Sequence, residues 1–332
     1  MSEKEDIAAL VDGLSRTGHP EWLEPMLAVL TDKRFSDPDW IFERKLDGER
    51  VLVFRDGKRI RLVTRNRNTV NATYPELAEA LAGQPAGEFV VDGEVVAFDG
   101  KVTSFSRLQK RMQIKDPDKA RASGVAAYLY LFDLLHLDGH DVTRLPLRER
   151  KSLLLRAFSF EDPIRFTAHR NEQGEAYFDE ACSKGWEGVI AKDAQAPYNY
   201  GRSRDWLKFK CGNGQELVIA GFTEPRGDRQ GFGALLLGYF DDGELRYAGK
   251  VGTGFDEAFL KDFRETLDAR RRETCPFDDD VDEDATWVRP ELVAEIGFTE
   301  WTSAGKLRHP RFLGLRRDKA AKDVVRETAE DA

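Results

Sequence analysis

Long apolar runs and paired cysteines are both missing from this 332-residue sequence. No run approaches the roughly 20 apolar residues of a membrane span, and the acidic start, MSEKEDIAALVDGL, has no signal-peptide core. Cys182, Cys211 and Cys275 lie far apart without a C-x-x-C pair, so neither a zinc ribbon nor a disulfide framework is supported. The five histidines show no H-E-x-x-H or other ligand spacing. We expect a cytoplasmic protein.

A net positive charge is also missing. Counting 51 Lys and Arg against 60 Asp and Glu gives −9, which taken alone argues against a nucleic-acid partner. The charges are segregated, however: residues 44–67 carry nine basic and three acidic groups (+6), and residues 306–319 carry six and one (+5). Acids concentrate at 278–284 (DDDVDED). Separated signs fit a phosphate-binding groove on an acidic body, although two solvated strand faces would give the same composition.

A length of 332 residues is sufficient for two domains. Alternating runs from residue 40 onward, separated by Asp-Gly pairs at 56–57, 138–139 and 242–243, predict strands and hairpins. Helices are predicted at 75–82, 106–111, 147–157, 175–185 and 256–271. The G-N-G at 212–214 suggests a boundary, and the short strands with one helix beyond it suit a barrel of the oligonucleotide-binding type. We therefore expect a tail at 1–20, domains at 21–212 and 213–322, and a tail at 323–332.

Several short segments carry the chemistry. E-R-K-L-D-G-E-R (43–50) places Lys45 between strands, although K-x-D-G is also an ordinary surface turn. Carboxylates stand in V-D-G-E (Glu94) and E-G-V-I-A-K (Glu187). In W-L-K-F-K, Lys208 and Lys210 share one strand face because alternate residues point the same way. Two lysines on one face beside apolar packing predict an anion site.

A lysine amine is a nucleophile only when neutral, and at an ordinary pKa of ~10.4 little of it is neutral. Nearby cations favour the neutral form, so Lys208, Lys210 and a metal ion would activate Lys45 and neutralise a phosphate. Glu94 and Glu187 suit Mg²⁺, which takes few carboxylates together with phosphate oxygens and water. The set is consistent with lysine attack on a nucleotide α-phosphate.

The order of these segments resembles the covalent nucleotidyltransferases, which include ATP-dependent DNA ligases, RNA ligases and capping enzymes. The similarity is closest to the ligase domain of the bacterial non-homologous end-joining ligase, ligase D, and runs from about residue 22 to about 325. It implies an α+β fold: an antiparallel-sheet, ATP-grasp-like adenylation (nucleotidyltransferase) domain followed by an OB-fold β-barrel domain. It also implies an ATP-dependent DNA ligase that works through lysyl-AMP and DNA-adenylate.

The resemblance assigns a role to each matching residue. Lys45 is the adenylylated lysine, Lys208 and Lys210 bind the α-phosphate, and Glu94 and Glu187 bind ribose and the metal. Glu43 lies near the adenine amino group, while Phe132 stacks on the adenine, although core packing alone explains an aromatic residue there. Arg50 and Arg65 contact ribose or the 5′-phosphate of the nick. In K-L-R-H-P-R-F-L-G-L-R-R-D-K, the residues that meet pyrophosphate are Arg308, Arg316, Asp318 and Lys319.

The same resemblance implies ATP and Mg²⁺ or Mn²⁺ as cofactors, and nicked or broken DNA as the partner of a monomer. A Ku homodimer and a separate polymerase or primase are expected by analogy. Two alternatives stay open. One is an RNA ligase or guanylyltransferase with the same chemistry, and the other is a non-catalytic nucleic-acid-binding protein built on the barrel.

Overall fold

The computed structural model describes residues 11–317 and 319–329. The chain divides into two units at Cys211 and Gly212, beside the G-N-G segment. Residues 1–10, half of the expected N-terminal tail, lie outside the described residues. Among the described residues, no helix has the length and apolarity that crossing a membrane requires.

The first unit contains strands and helices in an α+β arrangement. The strands are β1 (Met26–Leu30), β2 (Trp40–Lys45), β3 (Glu49–Asp56), β4 (Arg59–Thr64), β5 (Glu88–Val96), β6 (Phe98–Asp99), β7 (Val102–Thr103), β8 (Tyr128–Leu137), β9 (His140–Asp141), β10 (Ile164–Phe166), β11 (His169–Asn171), β12 (Gly188–Asp193) and β13 (Gly201–Lys210). The helices are α1 (Pro75–Ala82), α2 (Phe105–Met112), α3 (Pro117–Arg121), α4 (Leu147–Ala157) and α5 (Gly174–Ser183).

The strands of this unit form two main sheets. Sheet I has the order β10-β8-β5-β3-β4, with β9 paired to β8, and sheet II has the order β1-β13-β12-β2-β11. The pairs β1–β13 and β10–β8 are parallel, whereas the other pairs in these sheets are antiparallel. The expected antiparallel pairing is therefore found in most of these pairs, but one pair in each sheet is parallel and both sheets are mixed.

Strand alternation gives each sheet two buried faces. One cluster lies between the sheets and joins Leu52 and Phe132 of sheet I to Met26 and Trp206 of sheet II. On the far side of sheet I, apolar residues pack against α1 and α4. On the far side of sheet II, Phe42, Phe209 and their neighbours pack against α5. The functional residues discussed below extend from the faces that look into the space between the sheets.

The second unit contains a single five-stranded sheet of order β16-β15-β14-β17-β20. Its elements are β14 (Asn213–Phe222), β15 (Leu235–Asp241), β16 (Glu244–Val251), α6 (Glu257–Asp268), β17 (Thr286–Phe298), β18 (Glu300–Trp301), β19 (Leu307–Arg308), β20 (Arg311–Arg316) and a 3₁₀ turn at Ala321–Asp323. All of its pairs are antiparallel. β16 and β20 are the two edges, so this sheet does not close on itself among the described strands. The expected closed barrel is not confirmed.

The cysteines and the C-terminal segment both differ from expectation. Cys182 and Cys211 form a disulfide, with 5.2 Å between their Cα atoms, so the expectation that the sequence supports no disulfide is wrong. Sequence spacing missed it because α5 and β13 bring together residues that are 29 apart. At the C-terminus, Val324 is fully buried and its carbonyl accepts a hydrogen bond from the amide of Phe240, so this part of the expected tail packs on β15.

Candidate active site

Lys45 lies where the chain crosses from sheet II to sheet I. It ends β2, and after Leu46-Asp47-Gly48 the chain begins β3 in the other sheet. Gly48 permits this crossing, because a Cβ there would clash with the carbonyl oxygen of Val95. The Asp47 carboxylate accepts a hydrogen bond from the amide of Phe105 at 2.9 Å, which ties the crossing to the start of α2.

The pairing register of sheet II sets the predicted lysines side by side. Lys45, Gly188 and Lys210 form one cross-strand row, and Glu43, Ile190 and Lys208 form the next. Residues directly opposite one another share a face, so the three lysines and Glu43 share one face. Gly188 has a φ of 153° and no room for a Cβ against the carbonyl of Phe209. This glycine therefore keeps the strands of Lys45 and Lys210 close together.

The amine of Lys45 forms an ion pair with the carboxylate of Glu187, the residue just before β12. Burial lowers the pKa of Lys45 and Lys210 lowers it further, but Glu187, assisted by Glu94, outweighs both, so the pKa is raised. The expected cation Lys210 does lower this pKa, but the sequence interpretation did not include the carboxylate that touches the amine and raises it.

Glu43 is buried between two lysines. Its Oε1 pairs with the ammonium of Lys151 on α4, and its Oε2 lies 2.6 Å from the ammonium of Lys192 on β12. All three side chains are at most 3% exposed. Burial raises the pKa of Glu43, but the two lysines outweigh it and the pKa is lowered. Two lysine amines thus face one carboxylate, and burial lowers the pKa of Lys192 even though Glu43 and Asp133 oppose that shift.

Arg50 is held by a buried carboxylate that sequence reasoning did not single out. Its guanidinium donates two hydrogen bonds to Asp92, at 2.9 and 2.5 Å, and a third to the carbonyl of Met26 at 2.6 Å. The Tyr198 hydroxyl donates to the same Asp92 at 2.6 Å. Burial lowers the pKa of Arg50, yet Asp92 outweighs it and the pKa is raised. The network ties β3 and β5 of sheet I to β1 of sheet II.

The aromatic wall of the site is formed by Phe132 and Trp206, whose ring centroids lie 5.9 Å apart. The Lys192 ammonium lies 4.3 Å from the first centroid and 4.1 Å from the second. Phe132 is 8% exposed and belongs to the cluster between the sheets. Glu94 is opposite Arg50 in the pairing of β3 with β5. Arg65 is half-buried in the turn after β4.

The remaining predicted residues belong to the second unit and are described within it. Arg308 on β19 pairs with Glu300 at 2.5 Å, and Arg316 on β20 lies 3.9 Å from Glu295. The Lys319 ammonium donates to Glu216 at 3.1 Å. Asp318 lies outside the described residues.

The structure adds Lys151, Lys192, Asp92 and Tyr198 to the residues found from sequence. Lys192 closes the E-G-V-I-A-K segment, and its even spacing from Gly188 and Ile190 on a strand was a usable signal. Asp92 had a weaker one, since it lies two residues before Glu94. Lys151 stands among leucines on α4 and had none, because only tertiary packing brings this helix to Glu43.

Glu94 and Glu187, the two carboxylates near Lys45, suit a divalent cation whose remaining ligands come from substrate and water. Glu187 contacts the amine and Glu94 is close enough to affect its pKa. Among the described residues, no group of three His, Cys, Asp or Glu side chains could hold a metal. Mg²⁺ binds through one or two carboxylates when substrate phosphates and water complete its shell, and this pair provides that number.

Comparison with known proteins gives two family matches. Residues 25–210 match the model "ATP dependent DNA ligase domain", and residues 228–319 match "ATP dependent DNA ligase C terminal region". The multifunctional non-homologous end joining protein LigD of Pseudomonas aeruginosa is 38% identical over 94% of this chain, which spans 37% of that protein. The LigD repair protein of Mycobacterium tuberculosis H37Rv is 39% identical over 92% of the chain and 40% of its own length.

A solved structure gives the same result in three dimensions. A mycobacterial DNA ligase D complexed with ATP and MES superimposes with a TM-score of 0.65 and 36% identity, covering 92% of this chain and 98% of that one. This chain thus spans about two fifths of the two LigD relatives and nearly all of the solved ligase chain. The resemblance inferred from the motifs is confirmed, and this chain belongs to the ATP-dependent DNA ligase family.

Proposed function

We propose that this chain seals DNA breaks between a 5′-phosphate and a 3′-hydroxyl through a covalent Lys45-AMP intermediate. The observation that supports this most is the row of Lys45, Gly188 and Lys210, with Glu187 on the amine. The row places a half-buried nucleophile beside cations that suit an α-phosphate. A family member with this arrangement has what the first chemical step requires.

The reaction follows in three balanced steps. The neutral Lys45 amine attacks the α-phosphorus of ATP, a phosphoramidate bond forms, one amine proton is released, and pyrophosphate leaves. The DNA 5′-phosphate oxygen then attacks that phosphorus, the phosphoramidate bond breaks as its nitrogen takes up a proton, and AMP moves to DNA while the Lys45 amine is restored. Finally the 3′-hydroxyl attacks the DNA phosphate, the phosphodiester forms, its proton is released and AMP departs.

The remaining side chains support these steps. Lys208 and Lys210 neutralise the α-phosphate, and Glu43 with Phe132 and Lys192 forms the floor and wall for the base. A divalent cation bound by Glu94 and Glu187 would neutralise triphosphate charge and compete with Lys45 for the Glu187 carboxylate. Once that ion pair is lost, burial and Lys210 both lower the pKa of Lys45.

Arg50 and Arg65 are proposed to contact ribose or the 5′-phosphate of the break. We assign Arg308, Arg316, Asp318 and Lys319 to pyrophosphate, with the second unit as an open relative of the oligonucleotide-binding barrel. Repair of double-strand breaks by end joining is supported by the names of the LigD relatives. A Ku homodimer and a separate polymerase are the partners proposed for that process.

Intact-mass measurement after exposure to ATP tests the chemistry. We expect a gain of one adenylyl group, mapped to Lys45 and absent from Lys45→Arg. The exposed Lys58→Arg is the control, because it makes the same substitution far from the site. Lys208→Met should also fail to adenylylate while remaining folded.

Labelled nucleotides and substrates separate the alternatives. Attachment of label from GTP instead of ATP would indicate a guanylyltransferase, and sealing of nicked RNA but not nicked DNA would indicate an RNA ligase. Wild-type protein that binds DNA but never takes up label would indicate a non-catalytic binder.

A further inference from the structure

We propose that a basic face beside the active site, formed by Lys101, Arg107 and Lys110, binds the sugar–phosphate backbone of DNA. We call it the α2 basic face. Lys101 lies in the turn between β6 and β7, and the other two lie on α2. The inference rests on the proposed ligase function, since it gives unit 1 a second contact with that substrate.

The charges on this face are not used inside the protein. Lys101, Arg107 and Lys110 are exposed, and none forms an ion pair with another described residue. Neighbouring arginines differ: Arg111 pairs with Glu76 at 2.5 Å and Arg121 pairs with Glu79. Residues 98–110 contain these three cations and one acid, Asp99, a net of +2 in a chain of −9. Cations left without partners on an acidic protein favour an external anion.

The spacing of the basic residues suits successive phosphates of a nucleic-acid strand. Arg107 and Lys110 are three residues apart on α2, so they share one side of the helix. By contrast, the cations of residues 44–67 are dispersed: Arg50 is bound to Asp92, and Arg55 donates to the carbonyls of Leu81, Gln84 and Ala86. These two arginines are therefore held by internal contacts, whereas the cations of the α2 basic face form no ion pair with another described residue.

A cleft of about 510 Å³ lies at this face, and Lys101 and Arg107 are among its lining residues. Its wall includes the rings of Phe98 and Tyr128, whose centroids are 5.6 Å apart. Arg165 lies 4.1 Å from the Tyr128 centroid and donates two hydrogen bonds to Asp162. Cations at a rim with aromatic rings in the wall suit a nucleic-acid strand, whose phosphates meet the charges while sugars or bases meet the rings.

The face is joined to the nucleophile by short hydrogen-bonded links. The amide of Phe105, at the first position of α2, donates to the Asp47 carboxylate, and the amide of Asp47 donates to the Thr103 hydroxyl at 3.2 Å. Asp47 is two residues from Lys45. These hydrogen bonds fix the start of α2 to the loop at residues 46–48, which directly follows Lys45. DNA bound on α2 is thereby linked to the segment that carries the amine.

Two double variants with equal charge loss test the inference. Arg107→Ala with Lys110→Ala removes two cations from the α2 basic face. Lys58→Ala with Arg59→Ala removes two at the β3–β4 turn, one within the turn and one at the start of β4, at the far end of β3 from Arg50 and roughly 20 Å along the strand. Binding of each to a nicked duplex is measured over a series of salt concentrations, beside self-adenylylation with ATP, which needs no DNA.

We expect the α2 variant to bind nicked DNA at least tenfold more weakly at low salt. The slope of log K against log salt should shrink by about 1.8, or 0.9 for each lost phosphate contact. The turn variant should keep the wild-type slope. An α2 variant that adenylylates and binds DNA with wild-type affinity and slope would overturn the inference alone, whereas wild-type protein that never adenylylates would overturn the proposed function. If the double variant does not adenylylate, DNA binding of the single variant Arg107→Ala is measured in its place. Its slope of log K against log salt should shrink by about 0.9, and an unchanged slope would overturn the inference.

Discussion

Replacing Lys151 with methionine is expected to destabilise the first unit more than any change to a surface ion pair. The Lys151 ammonium contacts Glu43 and donates to the carbonyl of Thr167 at 3.0 Å, and its side chain is 3% exposed. Methionine keeps much of the aliphatic stem but supplies no charge and no donor. The substitution therefore leaves a buried carboxylate with one partner, Lys192, in place of two.

The magnitude follows from the cost of breaking buried ion pairs. Removing one partner of such a pair costs about 3–5 kcal/mol, because the remaining charge stays buried without compensation. Lys192 remains 2.6 Å from Glu43 and still pairs with it, so we expect less than this range, about 2 kcal/mol, from the lost hydrogen bonds to Glu43 and Thr167. Adding Glu43→Gln to Lys151→Met should deepen this loss, because Lys192 is then buried without its carboxylate. The added cost should be smaller than that of Glu43→Gln alone, which leaves two buried lysines without a partner instead of one.

Urea denaturation of both single variants and the double variant measures these free energies of unfolding. Arg121→Met is the control in the same unit, because its pair with Glu79 is 41% and 68% exposed and is worth about 0–1 kcal/mol. If Lys151→Met costs no more than Arg121→Met, the reasoning about Glu43 is refuted. Additive effects of the two site substitutions would equally refute the coupling between them.

Three further predictions concern other parts of the molecule. Gly188→Ala should abolish adenylylation and lower the free energy of unfolding by about 2–4 kcal/mol, through clash and strain; Gly212→Ala, which has open space around it, should do neither. Replacing both Cys182 and Cys211 with serine should cost about 3–4 kcal/mol, from the chain entropy of closing a 29-residue separation, whereas Cys275→Ser should have no effect on thermal unfolding. Burial lowers the pKa of His136 from its ordinary 6.5, outweighing Glu88. Its contribution to stability is therefore complete above that value and is lost as pH falls through the folded-state pKa. His136→Phe should lose less stability than wild type between about pH 7 and pH 5 in the same denaturation assay, and an equal loss would contradict the assignment.

Local sequence patterns located most elements because their signals are themselves local. The helices predicted at 75–82 and 147–157 have these bounds in the structure, and the hairpin predicted at the Asp-Gly pair 56–57 joins β3 to β4. The short helix α3 escaped because five residues carry too little periodicity. The pairing of strands escaped too, since parallel neighbours such as β1 and β13 are set by the fold and not by any turn.

The residues of the candidate site fall into the same two groups: some are identifiable from local sequence, and others only from tertiary contacts. Lys45, Lys208 and Lys210 were predictable because each lies in a short segment whose alternation fixes its face. Asp92 and Lys151 were not, because each acts through a residue distant in sequence: Asp92 through Arg50, 42 positions away, and Lys151 through Glu43, 108 positions away. The pKa of Lys45 shows how a tertiary contact changes the chemistry expected from sequence. Sequence reasoning counted the cations that lower it, whereas the structure places the Glu187 carboxylate on the amine and raises it. The contact with Glu187 therefore favours the protonated form of the Lys45 amine, so the attack on ATP that we propose requires Glu187 to leave Lys45 first.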